Sequence, residues 1–391
     1  MDAAALHSAK PVRTRSNEIQ KKNQMTVFST ESFADHEQVV FISDDKVGLR
    51  AIIAIHSTRL GPALGGCRMY PYADEASALR DVLRLSRGMT FKAAAAGLGL
   101  GGGKSVILGD PRKSKTPDLL RAMGVAVNRL GGRYITAEDV GTTVDDFAWV
   151  RQSTRHVVGL PEALGGTGDP SPTTALGVYH GIVASVAHRL GCGLQGLTVA
   201  VQGLGNVGWN LCRLLDEAGA RLVVCDVDPA LAARAAAEFD ARIVEPDAIY
   251  AVQADVFAPC AMGAVVNDKT LPQMRFRVIA GGANNQLARD EHGRQLRERE
   301  ILYAPDFVIN AGGLIRVASE HEGFNAAKVD AQVKGIGATL RRIFELADRD
   351  GTPTQSAAMR LVQERLGSTG RPGGAAANNN TNERPLAERI A

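Results

Sequence analysis

Residues 197–208, Leu-Thr-Val-Ala-Val-Gln-Gly-Leu-Gly-Asn-Val-Gly, decide the fold. An apolar β-rich run ends in Gly203, Gly205 and Gly208, a complete G-x-G-x-x-G, and residues 207–218 continue with helical spacing. Asp226 closes the next apolar run, RLVVCDVD, eighteen residues beyond Gly208. Gly203 and Gly205 permit a tight turn and the close approach of a pyrophosphate. Asn206 and Val207 then open a helix whose N-terminus favours that negative charge. Asp226 is placed to accept hydrogen bonds from ribose hydroxyls and to repel a 2′-phosphate, which favours NAD over NADP; Asp228 is the alternative.

Outward from this unit, helical spacing runs from Thr173 to about Leu190, and further short strands are expected at DVFAP (255–259), RVIAG (277–281) and DFVIN (306–310). This is the alternation of a doubly wound parallel sheet. Before it lies a second α/β unit. LRAIIAIHS (49–57) reads as a strand, 74–96 as a long helix, SVIL (105–108) as a strand, 116–130 as a helix with a Thr-Pro start, and GRYIT (132–136) as a strand. The turn-rich GGTGDPSP (165–172) reads as a hinge. The expected division is a substrate-binding and catalytic domain over 25–165, completed by 328–366, and a Rossmann-type domain over 166–327. The polar residues 1–24 and the low-complexity 367–391 are expected to be disordered.

The first unit carries its own chemical signal, Lys92 in MTFK and Lys104 in GLGGGKS, twelve residues apart. A glycine run before Lys104 lets backbone pack close to a small ligand, and a desolvated lysine becomes available as a base near neutral pH. A phosphate-binding P-loop is excluded. Leu98 stands where that motif needs its first glycine, and the order of elements is helix, glycines, strand.

A formal charge of +3 over 391 residues gives no nucleic-acid footprint, and no apolar run is long enough for a membrane span. Five scattered cysteines offer neither a metal site nor a disulfide framework, so a cytoplasmic protein without metal is expected.

Long blocks then carry a resemblance: GPALGGCRM (61–69), GLGLGGGKSVILGDPRK (97–113), GGRYITAEDVGTT (131–143), AGGANNQL (280–287) and ILYAPDFVINAGG (301–313). From Met25 to about Leu366 the chain resembles the amino-acid dehydrogenases acting on leucine, valine and phenylalanine, relatives of glutamate dehydrogenase, and the leucine-acting members most of all. The resemblance implies a homo-oligomer that oxidatively deaminates an apolar L-amino acid to its 2-oxo acid and ammonia with NAD. Lys92 would bind the substrate carboxylate with backbone at Gly65 and Gly66. Lys104 would be the general base that activates water, and Asp139 would hold the amino group. Thr174, Asn284, Asn285 and Asn310 would contact cofactor. Leu64, Met89, Ala137, Leu314 and Val317 would line the side-chain pocket, all apolar, so acidic substrates are disfavoured. Leu314 and Arg316 depart from the pattern of the leucine enzymes, which leaves valine, phenylalanine or tryptophan open as preferred substrate. A binding protein that lost its chemistry is argued against by the intact lysines. A 2-hydroxy-acid dehydrogenase lacks its histidine here.

Overall fold

The computed structural model describes residues 27–30 and 32–368. The expected extension over 1–24 and nearly all of the expected tail lie outside them. The first sheet has five strands, β1 (Gln38–Asp44), β2 (Leu49–Ser57), β3 (Ala63–Tyr70), β4 (Gly101–Leu108) and β5 (Tyr134–Glu138). Their order is β1-β2-β4-β3-β5. β1 and β4 run antiparallel to β2, while β3 is parallel to both β4 and β5. Period-two alternation sends Ile52 and Val106 to one face and Ile53 and Ile107 to the other.

Helix α1 (Glu75–Ala95) covers the first face with Leu79, Val82 and Leu83. Its start is fixed by Asp74, whose carboxylate accepts the Ser77 N–H at 2.7 Å. Helices α2 (Pro117–Asn128) and α3 (Val144–Arg151) cover the second face with Leu119, Met123 and Phe147. Thr116 caps α2, and Thr143 with Asp146 forms a capping box on α3.

The second sheet is parallel, in the order β11-β10-β9-β6-β7-β8. Its strands are β6 (Thr198–Gln202), β7 (Arg221–Cys225), β8 (Arg242–Ile243), β9 (Val256–Pro259), β10 (Val278–Ile279) and β11 (Leu302–Tyr303). The strand order reverses between β6 and β9, so a crevice opens at their carboxyl ends, beside Gly203. Among the described residues seven helices accompany this half: α4 (Ser171–Leu190), α5 (Asn206–Glu217), α6 (Pro229–Phe239), α7 (Asp290–Glu298), α8 (Asp306–Ile309), α9 (Gly312–Glu322) and α10 (Ala326–Asp350). A last helix, α11 (Thr354–Ser368), follows.

Three expectations are corrected. DFVIN is no strand: the strand stops at Tyr303, Pro305 turns the chain, and the Asp306 carboxylate accepts the Phe307 N–H at 2.9 Å, so 306–309 is one helical turn. Of the segment 328–366, expected to complete the first domain, the first part packs on the second domain. α10 lies along α4, and α11 makes the crossing, where Arg365 donates to the Ala94 and Ala95 carbonyls at 2.7 and 2.6 Å. Both carbonyls belong to the last turn of α1, and that of Ala94 also accepts the Gly97 N–H at 3.1 Å. The strand expected at 105–108 also starts earlier, at Gly101. Gly101, Gly102 and Gly103 are strand β4, and a Cβ on Gly102 would stand 2.0 Å from the Thr90 backbone nitrogen. Glycine there brings α1 and its Lys92 down onto the sheet.

A buried histidine pair sits under α1. His36 Nδ1 accepts the Ala34 N–H at 3.3 Å, so the ring proton is on Nε2, which faces the Leu83 carbonyl at 3.1 Å. The His56 ring meets it edge-on at 4.9 Å, and its Nδ1 lies 2.8 Å from Thr90 Oγ1. Burial lowers His36 to about 4 and His56 to about 3. The unfolded chain therefore takes up these protons near pH 6.5 while the folded one refuses them. Thermal stability is expected to hold above about pH 6.5 and to fall steadily below it, before carboxylates titrate. Melting curves across that range check this; a flat melting temperature down to about pH 4.5 contradicts it.

Candidate active site

Lys104 stands in the middle of β4, paired across the sheet with Ala54, and is only 6% exposed. Its Nζ lies 2.9 Å from Oδ2 of Asp139, the residue after β5. Asp139 is not a helix cap; Thr143 fills that place, which frees the Asp139 side chain for the cleft. The loop is held by the Asp139 N–H, which donates to Thr142 Oγ1 at 2.9 Å, while that hydroxyl lies 2.9 Å from the Cys67 carbonyl. Burial pushes the Asp139 carboxyl up, but Lys104 and Arg68 outweigh it and hold the group below its ordinary value.

Lys92 is near the C-terminal end of α1. Burial chiefly lowers its ammonium to about 8; Lys104 adds to that and Asp306 opposes it. Asp306, at the start of α8, is itself raised by burial, although the backbone at Phe307 and Gln286 donates to it.

These groups line a cleft of about 870 Å³. Its walls include Leu64, Gly65, Gly66, Met89, Ala137, Leu314 and Val317, with Asn284 and Asn285 opposite. Gly65 and Gly66 are needed for packing as well: added Cβ atoms would stand 1.7 Å from the Gly103 carbonyl oxygen and 2.6 Å from that of Glu138. Gly159, missed in the sequence, has φ +71° and leaves a gap between Ala137 and Val317. Arg316 does not enter the pocket. It donates to the Thr167 carbonyl and to Thr173 Oγ1, while Glu320, one turn on, accepts the Thr167 N–H at 2.8 Å and the Gly159 N–H at 2.7 Å. Thr167, at the start of the expected hinge, is thus tied to α9.

The other expected cofactor residues lie outside the lining of that cleft. Gly203 has φ +91°, and a Cβ on Gly208 would stand 1.9 Å from the Gly203 carbonyl oxygen, so both serve the turn. Gly205 faces open space and caps α5 without a side-chain bond, leaving the amides at Asn206 and Val207 directed at whatever binds there. Asp226 accepts the Leu204 N–H at 2.6 Å and the Asp228 N–H at 2.8 Å; each oxygen keeps a lone pair for a hydroxyl. Asp228 is occupied in capping α6 through the Ala230 N–H. Thr174 donates to the Pro170 carbonyl at 3.0 Å in the first turn of α4. Asn310 is 2% exposed and donates to Asn284 Oδ1 at 2.7 Å, and among the described residues its own Oδ1 has no partner. A cradle open at Gly205 and an orphaned amide oxygen fit a dinucleotide well. Among the described residues no cluster suits a metal ion, all five cysteines are free, and no helix is long and apolar enough to cross a membrane.

Residues 36–156 match the family described as "Glu/Leu/Phe/Val dehydrogenase, dimerisation domain", and 165–234 with 230–366 match "Glutamate/Leucine/Phenylalanine/Valine dehydrogenase". The chain belongs to the Glu/Leu/Phe/Val dehydrogenase family. Leucine dehydrogenase of Bacillus subtilis (strain 168) is 52% identical over 343 residues, 88% of this chain and 94% of the relative. Phenylalanine dehydrogenase of Bacillus thermotolerans is 49% identical, over 87% and 91% of the two chains. The crystal structure of L-tryptophan dehydrogenase from Nostoc punctiforme superposes with a TM-score of 0.78 at 47% identity, covering 86% of this chain and 97% of that one. The protein is an amino-acid dehydrogenase, and membership of this family entails a nicotinamide cofactor.

Arg68, Asp81 and Asp306 were not legible as site residues. Arg68 lies inside the block GPALGGCRM, but nothing in its spacing separates it from a surface arginine.

Proposed function

We propose that the protein catalyses the reversible NAD-dependent oxidative deamination of leucine, and of valine and isoleucine, to the 2-oxo acid and ammonia. The observation that carries this is the Lys104–Asp139 contact beside Lys92 in a cleft with apolar walls. Lys92 holds the substrate carboxylate with backbone at Gly65 and Gly66, and Asp139 holds the amino group. A bound nicotinamide supplies the acceptor for the hydride leaving the substrate Cα. Loss of that hydride and of an amine proton leaves an imine. Lys104 Nζ takes a proton from water as its oxygen attacks the imine carbon and passes it to the nitrogen, giving the carbinolamine; it then takes the hydroxyl proton as the carbonyl forms and hands it to the nitrogen, which departs as ammonia. Asp226 favours NAD, because a 2′-phosphate would face its carboxylate.

The domains expected over 25–165 and 166–327 close about 165–172, since the lysines belong to one and the nicotinamide contacts Thr174, Asn284, Asn285 and Asn310 to the other. A homo-oligomer accords with the match to a dimerisation domain. Relatives acting on phenylalanine and tryptophan favour a second reading of the pocket, in which the same reaction takes an aromatic side chain. Initial rates with each L-amino acid, run with NAD and with NADP, test the proposal. Leucine with NAD is expected to give the highest kcat/KM; no reduced cofactor with any apolar amino acid would sink it.

The role of Lys92 has its own signature. The group is cationic below about 8 and neutral above. A carboxylate held by it binds less well as pH rises past that value, and the bound anion, which raises the lysine in the complex, sets how far the loss continues. The dissociation constant of 4-methyl-2-oxopentanoate with NADH is expected to climb towards tenfold per pH unit at the alkaline end. A constant that stays flat from about pH 7 to about pH 10 contradicts the role.

A further inference from the structure

Asp139 carries two cations on one oxygen. Lys104 Nζ lies 2.9 Å from Oδ2 and Arg68 Nε lies 3.0 Å from the same atom. Among the described residues Oδ1 accepts no hydrogen bond, although the side chain borders the cleft. We infer that Arg68 is a positioning residue for the reaction: it pins Oδ2 alongside Lys104, so that Oδ1 is the oxygen presented to the substrate amino group. The inference rests on the proposed deamination.

Arg68 is itself held from behind. Its Nη1 donates to Asp81 Oδ2 at 2.9 Å, and that oxygen also accepts the Tyr72 hydroxyl at 2.7 Å. The planar guanidinium therefore spans two carboxylates as a rigid fork, which a single ammonium cannot do. Gly66 closes a third side, since a Cβ there would stand 2.8 Å from Asp139 Cβ. Asp81 and Lys92 are eleven residues apart on α1, about three turns at ~3.6 residues each, so both project from one face. The helix that carries the proposed carboxylate clamp thus also anchors the arginine that sets the angle of Asp139. Clamp, carboxylate and base are joined through side chains rather than through one loop.

The charges around Asp139 are Lys104 from β4, Arg68 from β3, Lys92 and Asp81 from α1, and Glu138 beside it in sequence. Glu138 is raised by burial and by Asp169. Cys67 is pushed up to about 12 by burial, and Tyr134 is raised for the same reason, so both stay neutral. Asp146 is paired with Lys115 at 2.6 Å. Removing Arg68 leaves burial of Asp139 opposed by Lys104 alone, and the carboxyl rises.

Arg68→Met is expected to lower kcat by ~10²-fold, from misorientation at the reacting centre, with KM and NADH affinity changed by less than about threefold. The acid limb of kcat/KM should move up by about 1 unit or more. Arg68→Lys should recover roughly tenfold in kcat, because it restores one of the two contacts. Tyr72→Phe loosens only the outer end of the relay. A few-fold loss of kcat there, at unchanged melting temperature, supports the role even where the Arg68 variants fold poorly. A wild type that reduces no cofactor with any amino acid sinks both the reaction and this role. A wild type that turns over beside an Arg68→Met enzyme with normal kcat, or with a lost kcat and an unmoved acid limb, sinks this role alone. A Tyr72→Phe enzyme with wild-type kcat, where the Arg68 variants do not fold, overturns it too.

Discussion

Lys104→Ala is expected to abolish turnover, lowering kcat by about 10²- to 10⁴-fold, while NADH binds as before. The lysine is 6% exposed and 2.9 Å from Asp139, a placement that a base from bulk solvent does not reproduce. Its removal leaves Asp139 charged and still paired with Arg68, so the fold survives. The dinucleotide turn at Gly203–Leu204–Gly205 and Asp226 make no contact with it, so cofactor affinity is the internal control. Lys92→Ala should behave differently, raising KM for the amino acid more than it lowers kcat, because a carboxylate clamp acts already in the ground state. Stopped-flow reduction of NAD with saturating leucine, beside an NADH fluorescence titration, separates the two. A Lys104→Ala enzyme with near-normal turnover would remove the base from this account.

Gly102→Ala, a change of one methyl group remote from solvent, is expected to have the second largest effect. The new Cβ would lie 2.0 Å from the Thr90 backbone nitrogen and 2.3 Å from Thr90 Oγ1. Backbone cannot yield as a flexible side chain can, so α1 must lift from β4. Overpacking of this kind costs about 1–3 kcal/mol or more. Lys92 follows Thr90 by two residues on the same helix, so the same lift carries it away from Lys104, and kcat/KM should fall with the melting temperature. Gly335→Ala, in the interior of α10 with nothing within 4 Å of the new Cβ, is the contrast. It should stabilise by ~0.5–1 kcal/mol through helix propensity. Equal melting temperatures for the two variants would contradict the packing role given to the β4 glycines.

That role shows where the sequence was legible and where it was not. G-x-G-x-x-G between a strand and a helix is a local pattern with a local cause, and the sheet order around Gly203 follows from it. Strand 49–57 and the capped helices at Asp74 and Thr116 were legible for the same reason. The strand expected at 105–108 stops short of the glycines at 101–103 because two of their partners, Thr90 and Tyr134, approach from elsewhere in the chain. DFVIN has strand composition, and Pro305 with the Asp306 carboxylate overrides it. Arg68 was invisible as a site residue because its meaning lies in Asp81 and Asp139, thirteen and seventy-one residues away. Blocks such as MTFK and AEDVGTT name the lysines and the aspartate; only the fold shows that two of them touch.

The most direct measurement follows the hydrogen itself. With L-leucine deuterated at Cα and NAD, proton NMR of the reduced cofactor should show one deuterium at nicotinamide C4, with ammonia released in equal amount to the 2-oxo acid. Reduction without deuterium at C4, or formation of the 2-oxo acid without reduced cofactor, would contradict hydride transfer from the amino-acid carbon in this cleft.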